Sequence, residues 1–408
     1  MTIKTICFTC RNGISTKCAM RPAWAGFTTL EQPNSIIMKK TILILLTGIC
    51  LSCQNKKDTS LQSSQALSMA LDSLTTELSE LYETGYINGF GVGIVNKDSI
   101  LYAGGIGFAD VASEKPYSGA TLQNIGSVSK TFIGISLLKA QELGKLDLDD
   151  PVNDYLPFEV RNPYFPEDPI TLRELATHTS SILDTEFYDK KSYLLKEAKT
   201  AADTLEMNED FNPPEARIPL MEFLENTLSK EGEWYRESGF LEHPPGTLFA
   251  YTNVGATLAA AALETATGRN FNAFATQHIL RPLGMEASGW SFDDIDMGAH
   301  STLYADMDTP LPYYSLITYP DGGLICSPED LSKYLRELIK GYSGEGTLLS
   351  KEGYRELFRP QLDASHLPDR DTENDFDDEY NSGIFMGFTP KDYVGHTGGD
   401  PGIATFMF

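Results

Sequence analysis

Ser127 and Lys130 stand one helical turn apart in "NIGSVSKTFIGISLLKAQELGKLDLDD" (124–150), where a polar Ser-Val-Ser-Lys runs into an apolar helical segment. Positions i and i+3 share a helix face. In the first turn the backbone N–H groups are free, and the positive helix end favours developing negative charge. A lysine held there against a second base can lose its proton and activate a hydroxyl for attack. The plain alternative is that serine starts helices well and lysine is common on surfaces. About one or two such spacings arise by chance in a chain of this composition and length. Ser136 and Lys139 form another, but mid-helix, where no free N–H groups remain, so they read as a decoy.

Two further groups carry polar chemistry. Tyr251-Thr-Asn253 precedes the helical stretch of "PPGTLFAYTNVGATLAAAALETATG" (244–268). Structurally, Asn253 would be a helix N-cap and Tyr251 core; functionally, Tyr251 would be a general base and Asn253 a hydrogen-bond donor to substrate. Tyr86 and Asn88 repeat the spacing, but with no helix behind them. Near the C-terminal end, His396-Thr397-Gly398-Gly399 lies in a strand-like run. Its glycines let a backbone approach a ligand closely. A lone histidine is more often structural than catalytic.

In this order, S-x-x-K, Y-x-N and H-T-G resemble the serine β-lactamase and penicillin-binding-protein superfamily, most closely its class C branch with the related esterases and D-aminopeptidases. The likeness covers about residues 70–408 and extends to "TLRELATHTSS" (171–181), "ILRPLGM" (279–285) and "DGGLICSPEDLSKYL" (321–335). The resemblance implies a set of roles. Ser127 would be the acylated nucleophile. Lys130 and Tyr251 would share the general-base work, with the base between them left open. Asn253 would orient the substrate amide or Lys130. His396, Thr397 and Gly398 would bind substrate, and backbone N–H groups of Ser127 and Gly399 would form the oxyanion hole. The implied reaction is acyl transfer to water, with no metal and no cofactor.

The sequence departs from the family in four places. His396 replaces the lysine of K-T-G. Lysine is charged at ordinary pH, whereas histidine is largely neutral above about pH 7, so the hold on an anionic substrate weakens. Ester and small D-amino-acid amide or peptide substrates therefore rank above β-lactams. A true class C β-lactamase and a catalytically silent binding or regulatory protein on the same scaffold remain the alternatives. Ser181 stands where relatives often carry glycine, and the stretch 182–242 is longer than the family norm and could shape or cover the cleft. The sequence stops inside "IATFMF" (403–408), an apolar strand expected to be left with an unpaired edge because the strand that pairs with it in the family is absent.

The elements that must position these residues follow from periodicity. Leu67, Leu71, Leu74, Leu78 and Leu81 mark an amphipathic helix over 66–84. "FGVGIV" (90–95) and "SILYAGGIGFA" (99–109) read as a hairpin. Helical segments follow at 128–143, 171–177, 218–229, 254–267, 270–279, 328–340 and 350–358, and strand character returns at 382–388, 393–399 and 403–408. The expected fold class is therefore α/β (α+β): one antiparallel sheet built from both chain ends, flanked by helices, with a large mainly helical inserted region.

Composition limits the partners. The 408 residues carry a formal charge of -25; residues 1–53 hold six basic residues and one acidic, so the remainder is more acidic still. Such a body repels phosphate backbones, and no nucleic-acid partner is expected. The acidic run 369–379 reads as a solvated loop. "MKKTILILLTGICLSCQNKKD" begins at Met38 with a charged n-region and an apolar run too short to span a bilayer. Residues 38–53 resemble a lipoprotein signal with Cys53 as the lipidated residue, which places the protein in the bacterial cell envelope, anchored by lipid. Residues 1–37 would then be a non-native or disordered leader, 54–66 a polar tether, and 67–408 the folded domain, acting on a small-molecule or peptide substrate.

Overall fold

The computed structural model describes residues 4–9, 56–198, 211–366, 383–389 and 392–408. The chain divides into two compact units, residues 1–13 with 85–408, and residues 14–84. In the second unit lies helix α1, Lys56–Tyr82. Leu71, Leu74 and Leu78 are half-buried on one of its faces, as their three- and four-residue spacing predicts. The helix begins at Lys56, inside the stretch expected to be a tether. "KKDTSLQSSQ" contains no proline or glycine to stop it.

The first unit is built on a seven-stranded antiparallel sheet in the order β4-β3-β2-β1-β11-β10-β9. Its strands are β1 (Lys4–Thr9), β2 (Gly89–Val95), β3 (Ile100–Asp110), β4 (Lys115–Pro116), β9 (Gly387–Phe388), β10 (Val394–Asp400) and β11 (Ile403–Met407). Strands from both chain ends share the sheet, as expected. Two sequence expectations need correction. Within residues 1–37, expected to be a non-native or disordered leader, Lys4–Thr9 is a strand with Ile6 opposite both Gly93 and Met407. And β11 is not left with an open edge, because β1 pairs with it along Ile6 to Thr9. The cause is the same in both cases: the gap between β2 and β11 presents two rows of backbone donors and acceptors, and an extended segment satisfies both. Toward the other end only Gly387–Phe388 of the expected strand 382–388 pairs; Phe385 has a positive φ of 49°, which breaks the extended run. Two short ladders complete the strands, β5 (Gln123–Asn124) with β8 (Ile325–Cys326) and β6 (Tyr193–Leu195) with β7 (Tyr314–Leu316).

Helix α2 (Lys130–Glu142) is buried along nearly its whole length and packs against α3 (Asn253–Thr267). The buried Ala256, Ala259, Ala260, Ala261 and Ala262 give α3 a thin wall that permits this close approach. Phe132 of α2 stacks on Tyr334 with centroids 3.9 Å apart and meets the edge of Trp290. Full burial of such a ring is worth about 3 kcal/mol. Tyr334 belongs to α4 (Pro328–Tyr342), which lies on β2 and β3. Its approach requires Gly91, where a Cβ would fall 2.3 Å from the Pro328 ring.

Candidate active site

Ser127 sits in a 3-10 turn, Gly126–Ser129, that feeds directly into α2 at Lys130. The side chains meet as the spacing predicts: Lys130 Nζ lies 3.0 Å from Ser127 Oγ. Nζ also donates to Asn253 Oδ1 at 2.6 Å and to the backbone carbonyl of Asp321 at 2.9 Å. That carbonyl is near the end of the short helix Tyr319–Gly322, where helical carbonyls have no partner of their own. Lys130 is completely buried. A lysine stripped of water needs its donors satisfied by protein, and these three oxygens do so.

Thr252, not Asn253, is the N-cap of α3, its side chain accepting from the Gly255 N–H. Asn253 is thereby free to turn its amide to Lys130, 123 residues away in sequence. Its other amide atom, Nδ2, donates to Asp184 at 2.8 Å. Of the two roles expected for Asn253, orienting substrate or Lys130, the amide contacts correspond to the second. The Tyr251 ring lies with its centroid 5.1 Å from Lys130 Nζ. The same ring stacks on His178, with centroids 4.4 Å apart. His178 is buried and its Nδ1 faces the Thr252 N–H. Burial, with Lys130 and His396 nearby, holds His178 neutral well below its usual range.

Strand β10 brings the last group. His396 is buried, its ring 6.2 Å from that of Tyr251, and its Nδ1 lies 2.6 Å from the Thr397 carbonyl. That short contact makes Nδ1 the protonated nitrogen. Gly398 lies so close to the nucleophile turn that a Cβ there would fall 2.1 Å from the Ile125 carbonyl and 3.0 Å from Ser127 N. A Cβ on Gly126, whose φ is +53°, would fall 2.9 Å from Gly399 N. The backbones carrying the Ser127 and Gly399 N–H groups thus abut. Ser127, Lys130, Tyr251, Asn253, His396, Gly398 and Gly399 lie near one another here, with Thr397 between them on β10; Cys53 and the signal at 38–53 lie outside the described residues, as does the acidic run.

Sequence reasoning missed a second layer. It includes two tyrosines from the described part of the long segment 182–242. Tyr188 donates to both carboxylate oxygens of Asp321, at 3.0 and 3.1 Å, and Thr257 donates at 2.7 Å. Tyr193 donates to Asp400 Oδ1 at 2.6 Å, while Asp400 Oδ2 is buried without a partner among the described residues. Burial above all raises Asp321 to about 6 and Asp400 to about 7. Asp400 follows the H-T-G-G run immediately and Asp321 opens the quoted "DGGLICSPEDL", so their positions were in view without their role. The decoy pair is inert: Ser136 is buried inside α2, and Lys139 binds the Leu348 carbonyl.

The buried acids give a pH signature to stability. Asp400 has an ordinary value of 3.8 and a folded value of about 7, so within that window the native state binds more protons than the unfolded one. Stability is then lost as pH rises through the window. Asp400→Asn cannot ionise and keeps an acceptor for Tyr193. Its Tm relative to wild type should therefore be higher at about pH 8 than at about pH 4, by several degrees, in thermal melts. An offset equal at both pH values would contradict an uncharged Asp400.

The comparisons with known proteins agree with this geometry. A family model described as Beta-lactamase matches residues 72–408. The chain is 25% identical over 412 residues to the mouse (Mus musculus) serine beta-lactamase-like protein LACTB, mitochondrial, covering 85% of this chain and 73% of that protein. It is 24% identical over 259 residues to Protein flp of Staphylococcus aureus (strain MW2), covering 62% of this chain and 46% of flp, less than half the length of that relative. Among solved structures, the octameric penicillin-binding protein homologue from Pyrococcus abyssi superposes with a TM-score of 0.58 at 22% identity, covering 82% of this chain and 72% of that one. The D-alanine carboxypeptidase AmpC from Burkholderia cenocepacia gives 0.56 at 19% identity, covering 85% and 90%. Both share the β-lactamase/transpeptidase fold.

Proposed function

Because the chain belongs to the Beta-lactamase family, a serine-hydrolase-type family, we propose that it hydrolyses an ester, amide or D-amino-acid peptide through an acyl-enzyme on Ser127. The observation that carries the reading is the buried Lys130 Nζ held 3.0 Å from Ser127 Oγ. In the reactive state the amine is neutral. It takes the Ser127 proton as Oγ attacks the substrate carbonyl. The oxyanion that forms is met by the N–H groups of Ser127 and Gly399. The Tyr251 phenol, beside Lys130, passes a proton to the leaving group and regains one from the Lys130 ammonium, so both return to their starting states. Water then attacks the ester on Ser127 and gives its proton to the Lys130 amine, which passes it to Oγ as the acyl bond breaks and the acid product leaves.

His396 argues for the substrate class. Its Nδ1 is directed at the Thr397 carbonyl, and an imidazole, unlike the lysine of K-T-G, is not charged at all ordinary pH values, so its hold on a substrate carboxylate is weaker. Neutral esters and D-amino-acid amides fit such a site better than β-lactams, whose recognition rests on an anion. The test is a panel of a p-nitrophenyl ester, a D-alanyl dipeptide, a D-amino-acid anilide and nitrocefin, on wild type and Ser127→Ala. Turnover of one or more of the first three should exceed that of nitrocefin at least about tenfold, the effect of one lost charge interaction, and should vanish in Ser127→Ala. Nitrocefin as the best substrate would overturn the assignment of class. Activity that survives Ser127→Ala would overturn the mechanism.

Export belongs to the same proposal. The signal-like stretch 38–53, with a small residue before Cys53, supports a lipid anchor in the cell envelope. Mass spectrometry of the N-terminal peptide from cell membranes should find acyl chains on Cys53. An unmodified peptide that begins upstream of Met38 would refute it.

A further inference from the structure

Asp184 lies behind Asn253, accepting from its Nδ2 at 2.8 Å. We infer that this carboxylate is a positioning residue that decides, through Asn253, which way the Lys130 amine faces Ser127; the inference rests on the hydrolase reading above. Asp184 collects four donors. Oδ1 accepts from Thr252 Oγ1 and the Val254 N–H, each at 2.9 Å. Oδ2 accepts from the Asn253 N–H at 2.9 Å and from Asn253 Nδ2 at 2.8 Å. The backbone donors belong to the first turn of α3, where the positive helix end holds an anion in place.

With four donors on its two oxygens, Asp184 acts only as an acceptor. The amide atom turned toward it must therefore be Nδ2, and the atom turned toward Lys130 must be Oδ1. Once Oδ1 faces Nζ at 2.6 Å and the Asp321 carbonyl faces it at 2.9 Å, two N–H bonds of the amine are committed. Nitrogen is tetrahedral, and its fourth position after Cε points at Ser127 Oγ. In the ammonium that position is a third N–H. In the neutral amine it is the lone pair, aimed at the proton it must remove. With the amide reversed, Nδ2 would face Nζ, and the lone pair would turn to that donor and away from Ser127. Asp184 excludes the reversed state without touching substrate.

The experiment measures the rate of Ser127 labelling by a fluorescent fluorophosphonate, normalised to the fraction of protein that labels at completion. Wild type, Asp184→Asn, Asn253→Ala and the double variant are compared. Asp184→Asn should lower the rate per labelled site about 100-fold, the scale of a misdirected reacting group. The kcat/KM for a p-nitrophenyl ester, which reports acylation, should fall by the same factor. The double variant should be no slower than Asn253→Ala, because Asp184 acts through that amide. If Asp184→Asn does not fold, Asp184→Ser, which keeps one acceptor for the helix, is read the same way. A merely structural role predicts fewer labelled sites at an unchanged rate per site, or losses that multiply in the double variant. Either outcome overturns the inference. A folded wild-type protein that never labels removes the hydrolase reading itself, and this inference with it.

Discussion

Lys130→Met will slow acylation of Ser127 by about a thousandfold or more while the protein stays folded. Methionine is one atom shorter than lysine, unbranched like it, and fills most of the same buried space without a base. The hydroxyl then keeps its proton, and the loss falls on acylation, so kcat/KM drops by that factor. Stability moves little for a physical reason. Removing a buried cation relieves its desolvation, while the Asn253 Oδ1 and the Asp321 carbonyl lose the donor that satisfied them. These effects oppose each other. Stopped-flow hydrolysis of a p-nitrophenyl ester, with a thermal melt alongside, checks both parts. A variant as fast as wild type would place the base elsewhere, with the Tyr251 phenol as the remaining candidate.

Gly398→Ala will cost on the order of a hundredfold to a thousandfold in kcat, the size of a lost oxyanion donor. A methyl group at 398 would sit 2.1 Å from the Ile125 carbonyl and 3.0 Å from Ser127 N, both backbone atoms that cannot swing aside. Strand β10 must therefore back away from the nucleophile turn, and the two N–H groups that face the developing oxyanion separate. Gly399→Ala supplies the comparison, because a Cβ there meets nothing within 4 Å. It should melt at a temperature close to wild type, whereas Gly398→Ala should melt several degrees lower. Equal melting temperatures for the two, with full activity at 398, would show that the strand does not lean on the nucleophile turn.

The residues differ in how legible they were in sequence, and the differences have physical causes. Ser127 and Lys130 were readable because helical spacing brings them together locally. The helices at 130–142, 253–267 and 328–342 fell within three residues of their expected ends, since apolar periodicity and caps are local signals. The contact from Asn253 to Lys130 spans 123 residues and was reachable only through the order of the three motifs. Strand β1 was missed because six residues carry little pattern, and what makes them a strand is a gap formed by partners near residues 90–95 and 404–407. Asp184, Asp321 and His178 were missed for a related reason. Each does its work as a single side chain outside any periodic run, and His178 holds a positive φ of 56° that no sequence pattern announces. Ser181 is a partial success. Its φ of +64° explains why glycine suits that position, and its hydroxyl recovers some of the cost by accepting from Asn162 at 2.9 Å.

The central claim is that Ser127 carries the acyl group during turnover. Mixing the protein with a p-nitrophenyl ester, quenching in acid within the burst and mapping the peptides by mass spectrometry tests it directly. The acyl mass should appear on the peptide containing Ser127, should decay as free acid is released, and should be absent in Ser127→Ala. Product release with no adduct on that peptide, or an adduct on another residue that is kinetically competent, would contradict it.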